Sequence, residues 1–150
     1  MKRRGSSRLA GGWWSAAARG TDLWLDGGHN PHAARAIAQA LAALQARDGR
    51  PSALIVGMLA NKDAEGFFAP FAPLGSRVLT VGFEAGRSAG AVALARAASS
   101  HGLDAQPCAD LDEALALALG AEGAAPRVVI AGSLYLAGEV LARSPETWPS

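Results

Sequence analysis

Three short stretches combine glycines with side chains able to bind charge or move a proton. They are Asp26-Gly27-Gly28-His29-Asn30, the segment Gly57 to Asp63 with Lys62 near its tip, and Gly132-Ser133-Leu134-Tyr135. An acid at a strand's end can accept hydrogen bonds from ribose hydroxyls, or it can hold the N–H groups of its own turn. Both roles stay open for Asp26. Lys62 is suited to a carboxylate or phosphate, although a loop lysine taken alone is usually just solvated. Ser133 lacks a G-x-S-x-G elbow and an acid–histidine partner set, so nucleophilic catalysis has no support. A hydroxyl and N–H at such a turn suit carboxylate binding better.

Other chemistries are excluded or weakened by pattern. No G-x-x-x-x-G-K-[ST] phosphate loop and no G-x-G-x-x-G dinucleotide fingerprint occur in the chain. Asp26, His29 and His32 do not form a convincing metal set, because His32 falls inside a predicted helix and no third good ligand accompanies them. His29 by itself reads as a turn or surface histidine, and His101 needs only its place near a helix C-terminus. Cys108 is the single cysteine, which rules out an internal disulfide and leaves it as a small hydrophobe.

The elements that must position these stretches follow from periodicity. Leu23 to Leu25, Ala53 to Val56, Arg77 to Val81 and Arg127 to Ala131 are short, apolar runs of the kind buried on both faces of a parallel sheet. Asp104 to Pro107 is either a weak strand or a connection. Asn30 and Pro31 cap and open a helix with Ile37, Leu41 and Leu44 on one face, ending near Arg47, with Gly49 and Pro51 as stop signals. Further helices are expected from about Ala64 to Phe71, from Ser88 to His101, from Asp110 onward with Glu113 at capping-box spacing, and from Tyr135 to about Arg143. Strands alternating with helices predict an α/β fold, a Rossmann-like three-layer sandwich with a mostly parallel sheet. In such sheets ligands bind beyond the carboxyl ends of the strands. All three polar glycine stretches then share one edge.

One domain is the expectation for 150 residues, half of them apolar and only 18% charged. A formal net charge of +1 gives no footprint for nucleic acid or an anionic membrane surface. No apolar run is long enough for a membrane span, and the basic Met1 to Arg4 is not followed by the core of a signal peptide, so a cytoplasmic location is expected. Residues 1–20 read as a poorly structured segment, 21–143 as the domain, and 144–150 as a frayed tail. Trp13-Trp14 is either a docking edge or a pair folded back on the domain's own surface.

Taken together, Leu23-Trp24-Leu25-Asp26-Gly27-Gly28-His29-Asn30-Pro31, Gly57-Met58-Leu59-Ala60-Asn61-Lys62-Asp63 and Ala131-Gly132-Ser133-Leu134-Tyr135-Leu136-Ala137-Gly138-Glu139-Val140 resemble the C-terminal (glutamate ligase) domain of folylpolyglutamate synthase/dihydrofolate synthase, a member of the Mur ligase superfamily. The resemblance covers about Thr21 to Arg143, in the right order and spacing. It implies an ATP-dependent, amide-forming ligase of folate biosynthesis and one-carbon metabolism. A carboxylate of dihydropteroate or a folate becomes an acyl phosphate, and the amino group of L-glutamate attacks it. The resemblance further implies nucleotide contacts from Asp26, His29, Asn30 and Arg8, and glutamate contacts from His29, Lys62, Ser133 and Leu134. ATP and Mg2+ are the implied cofactors, with the magnesium ligands and the P-loop on a separate N-terminal domain. The chain alone is therefore expected to be inactive, as a fragment or a separately encoded half. Two other readings are a non-catalytic nucleotide- or amino-acid-binding remnant and a domain of a peptidoglycan-precursor Mur ligase. The Gly27-Gly28 form of the first motif and the Gly-Ser-Leu-Tyr turn favour folate.

Overall fold

The computed structural model describes residues 2–3, 22–26, 28, 30–82, 90–119 and 127–132. Among them the chain alternates strand and helix: β1 (Lys2–Arg3), β2 (Asp22–Leu25), α1 (Pro31–Asp48), β3 (Ser52–Val56), α2 (Ala64–Phe68), β4 (Arg77–Thr80), α3 (Ala91–Ser99), β5 (Asp104–Pro107), α4 (Leu111–Leu119) and β6 (Arg127–Ala131). The strands form one sheet in the order β1-β2-β6-β3-β4-β5. All neighbours pair in parallel except β1, which lies antiparallel on β2 with Arg3 opposite Trp24. The expected parallel α/β sandwich is what forms.

The sheet's pleat divides the core into two halves. Leu54 and Val56, Val78, Val129 and Ala131, with Trp24, face the layer made by α1, α2 and α3. Ala53 and Ile55, Leu79, Val128 and Ile130, with Leu25, face α4 through Leu111, Ala114, Leu115 and Ala118. The steps from β2 to β3, β3 to β4 and β4 to β5 all run one way across the sheet, with their helices on one face. The return from β5 to β6 runs the other way, with α4 on the opposite face. This is what a uniform crossover hand requires.

Local chemistry explains the element ends. Asn30 sits in extended backbone, its Oδ1 accepts from the Ala33 N–H at 2.8 Å, and Pro31 fills the first helical position. At the other end Gly49 takes φ 69°, and its N–H bonds the Gln45 carbonyl. Ala34, Ile37, Ala38 and Leu41 make the buried stripe. Asp110 accepts from the Glu113 N–H at 2.8 Å, while the Glu113 carboxylate reaches back to the Ala109 N–H at 3.2 Å, one residue before the usual capping-box partner.

Two helix boundaries depart from the sequence reading, and one segment left open between strand and connection is settled as a strand. The helix expected to run to Phe71 stops at Phe68 and continues as a 3-10 turn over Ala69–Leu74. Pro70 and Pro73 have no N–H to donate to an α-helical ladder. The helix expected from Ser88 begins at Ala91, since Gly90 is extended at φ −67° and ψ 144°. Asp104–Pro107 is a genuine strand at the sheet's edge, hydrogen-bonded to β4 despite its polar, mostly exposed sequence. Of the first twenty residues, Lys2–Arg3 are described; Trp13, Trp14, the helix expected from Tyr135 and the C-terminal tail lie outside the described residues.

Candidate functional site

The exits of β2, β6 and β3, adjacent in the sheet, are joined to one another by backbone. At the end of β2 the Asp26 N–H donates to the Ile130 carbonyl at 3.0 Å. The half-buried Asp26 then turns its Oδ1 onto the Gly28 N–H at 2.8 Å, so the turn-holding role left open by sequence is real. A carboxylate accepts more than one donor, and this role is compatible with a second. Gly28 lies so close to α1 that a Cβ there would meet the Ala33 Cβ at 2.6 Å. Its carbonyl accepts from the Gly132 N–H at 2.8 Å, tying β2's exit to β6's.

Gly132 completes the junction. It takes φ 103°, a left-handed conformation that disfavours any side chain. A Cβ there would lie 2.5 Å from the Gly57 carbonyl oxygen and in tight contact, at 3.0 and 3.1 Å, with the Val56 and Met58 side chains. The Gly57 N–H in turn donates to the Ala131 carbonyl at 3.3 Å. Three turns that sequence could only assign to one edge are thus hydrogen-bonded in series, 28 to 132 and 131 to 57.

Beyond Gly57, the buried Met58 anchors the loop, and the Lys62 N–H closes a turn on the Leu59 carbonyl at 3.1 Å. Lys62 is half-buried. Asp63 follows and caps α2, its Oδ1 accepting from the Gly66 N–H at 2.9 Å. The first turn of α2 rests against Pro31 at the start of α1, which places the Lys62 turn beside the Asn30–Pro31 corner. Asn30 is exposed, with its side-chain oxygen committed to the helix cap, so the donor on its amide nitrogen is what suits an anionic ligand. The first turn of α1 carries no acidic residue to offset the positive helix end. The described glycine N–H groups are all engaged within the junction, so the lysine and the helix N-terminus are the donors this edge offers a small anion or dicarboxylate.

Of the residues singled out by sequence, Asp26, Asn30 and Lys62 come to this edge. Arg8, His29, Ser133 and Leu134 lie outside the described residues. His32 is exposed on α1, and among the described residues no group of three His, Cys, Asp or Glu side chains could hold a metal ion. Burial, with a smaller contribution from Glu113, pushes the Cys108 thiol up to about 11, so it is no nucleophile at neutral pH. His101 lies across the α3 layer, its Nε2 4.0 Å from a Glu65 carboxylate oxygen. No helix among the described residues is long and apolar enough to cross a membrane. Sequence reasoning overlooked Gly66 and the packing of α2 on Pro31. A glycine inside a helical pattern carries no periodic signal, and the two residues are far apart in the chain.

Residues 14–134 match the family model described as Mur ligase, glutamate ligase domain. No curated protein matches the chain. Among solved structures, the chain is similar to a bifunctional folylpolyglutamate synthase/dihydrofolate synthase from Yersinia pestis c092 complexed with AMPPNP and a Mn ion, at 28% identity and a TM-score of 0.67, over 81% of this chain and 28% of that one. A bifunctional folylpolyglutamate synthase/dihydrofolate synthase with Mn, AMPPNP and L-glutamate bound matches at 29% identity and a TM-score of 0.66, over 82% of this chain and 29% of that one. E. coli FolC in complex with ADP shares the fold, at 24% identity and a TM-score of 0.70, over 83% of this chain and 29% of that one. The chain spans less than a third of the length of each of these proteins.

Proposed function

The chain belongs to the Mur ligase, glutamate ligase domain family, and from that premise we propose that it forms the glutamate- and nucleotide-facing half of a ligase that joins L-glutamate to dihydropteroate or a folate. The observation that carries the proposal is the hydrogen-bonded junction of Gly28, Gly132 and Gly57, with Lys62 and the N-terminus of α1 beside it. A solved relative that holds L-glutamate and AMPPNP supports the same ligand pair here. That the matches at 28% and 29% identity are bifunctional folylpolyglutamate synthase/dihydrofolate synthases supports folate over a peptidoglycan precursor.

In the proposed reaction, ATP converts the folate carboxylate to an acyl phosphate with release of ADP. The glutamate amino nitrogen attacks the acyl carbon and loses a proton, and phosphate leaves the tetrahedral intermediate as the amide forms. The chain's residues bind and orient. Lys62 holds a glutamate carboxylate, together with Ser133 and Leu134 at the exit of β6. Asp26, already fixed by its bond to the Gly28 N–H, accepts from the ribose, with Asn30, His29 and Arg8 beside the nucleotide. Orientation of this kind supplies a large share of the rate in a bimolecular amide formation.

We assign Mg2+ to the P-loop partner that the family resemblance implies; among the described residues no group of three His, Cys, Asp or Glu side chains gathers. Phosphoryl transfer draws most of its stabilisation from metal and phosphate-binding groups, and these belong on a P-loop partner. ATP-dependent incorporation of labelled glutamate into dihydropteroate or tetrahydrofolate tests this. We expect none from the 150-residue chain by itself, and turnover by the isolated chain would sink the half-site reading. Calorimetry with L-glutamate tests the binding role. Lys62→Ala is expected to weaken binding about tenfold, the loss of one charge-assisted hydrogen bond, with thermal stability unchanged.

A further inference from the structure

We infer that Gly66 is a positioning residue: its missing side chain sets how closely the Lys62 turn lies to the Asn30–Pro31 corner. Gly66 is in the α-helical part of α2 and does not take a positive φ. Its backbone is therefore open to any residue, and glycine ordinarily weakens a helix relative to alanine. The reason for glycine lies in the space around it. A Cβ at 66 would overlap the Asp63 carboxylate and come within 2.8 Å of the Pro31 Cγ.

Both contacts matter for position. Asp63 is the cap of α2, and the bond it accepts from the Gly66 N–H fixes the residue immediately after Lys62. Pro31 is the first residue of α1, immediately after Asn30. A side chain at 66 turns the Asp63 carboxylate, the far end of a flexible side chain, out of its cap and presses on the Pro31 ring; loss of the cap together with that pressure is what moves α2 and the Lys62 turn relative to α1. Gly28 and Gly132 hold the strand exits together, whereas Gly66 sets the gap on the helix side. That the gap is the place where a glutamate carboxylate meets Lys62 rests on the function proposed above; the spacing itself does not.

The experiment compares Gly66→Ala with Gly90→Ala in the 150-residue chain. Gly90 caps α3, has extended backbone and has open space where a Cβ would go. Amide spectra are expected to show Gly66→Ala displacing the resonances of Lys62, Asp63 and Asn30, and Gly90→Ala leaving them in place. Titration with L-glutamate is expected to show a Kd about tenfold weaker for Gly66→Ala and unchanged for Gly90→Ala. Asp63→Ser, which shortens the cap without abolishing it, is expected to restore much of both signals when combined with Gly66→Ala. The same background keeps the comparison measurable if Gly66→Ala alone does not fold. Unmoved Lys62 and Asn30 resonances in a folded Gly66→Ala chain would overturn the spacer role. If the parent chain fails to bind glutamate at all, the functional reading fails, and the resonance displacement alone decides the spacer.

Discussion

The two edges of the sheet are held by different means. At the carboxyl edge the joints are backbone: Gly28 to Gly132 and Ala131 to Gly57. At the amino edge they are side chains. The buried Arg127, at the start of β6, pairs with Asp48 at the end of α1, and the Ser52 and Ser76 hydroxyls share a buried hydrogen bond. In these two pairs the polar side chains are spent on each other. At the carboxyl edge the strand exits are held by main chain and glycine, and under the proposed function Lys62 and the Asn30 amide are the groups left for a ligand. Asp26, Asn30 and Asp63 are the exceptions, side chains that hold a turn or a helix cap at this edge.

This contrast can be broken at either end. Gly132→Ala should do most damage, because it meets both a left-handed φ and a close carbonyl; we expect a loss of about 3 kcal/mol, read as a urea midpoint shift, together with loss of ligand binding. Ser52→Ala leaves a buried hydroxyl at Ser76 without that partner and should cost about 1–2 kcal/mol, while the double replacement Ser52→Ala with Ser76→Ala should recover most of it. Neither serine change should alter glutamate binding, and a matching loss of binding would show that the edges are coupled.

The smallest effect is expected from Asp48→Asn. The Arg127 guanidinium, followed by the Arg50 N–H, holds the Asp48 carboxyl below its ordinary value of 3.8. Its folded-state pKa is thus depressed, so the stabilisation is present above that value and is lost as pH falls through the folded-state pKa. A melting-temperature profile between about pH 2 and pH 6 should be steeper at its acid end for the parent than for Asp48→Asn. Because the carboxylate is substantially exposed, the difference should be a few degrees at most.

Much of the fold was legible because its signals are local. The cap at Asn30, the stop at Gly49 and the apolar runs of β3, β4 and β6 each declare themselves within a few residues. β5 does not, since Asp104-Ala105-Gln106-Pro107 is an edge strand defined by hydrogen bonds to β4 rather than by burial. The Arg127–Asp48 pair spans 79 residues and has no spacing to betray it. At the site, types and positions were legible for Asp26, Asn30 and Lys62, but what fixes them was not. The Gly28–Gly132 bond and the packing of Gly66 on Pro31 are contacts between segments, and both depend on atoms that glycine lacks.

The place of β6 between β2 and β3 bears on how the protein is made. The strand that enters the middle of the sheet is the last of the described strands to leave the ribosome. Until it arrives, β2 and β3 have no shared neighbour, and each presents an open, apolar edge of the kind that pairs with other chains. The nascent chain must keep those two edges apart yet aligned for some 70 residues beyond β3. Insertion of β6 closes the sheet and joins Gly28 to Gly132 in the same event, so assembly of the carboxyl edge and escape from edge pairing coincide.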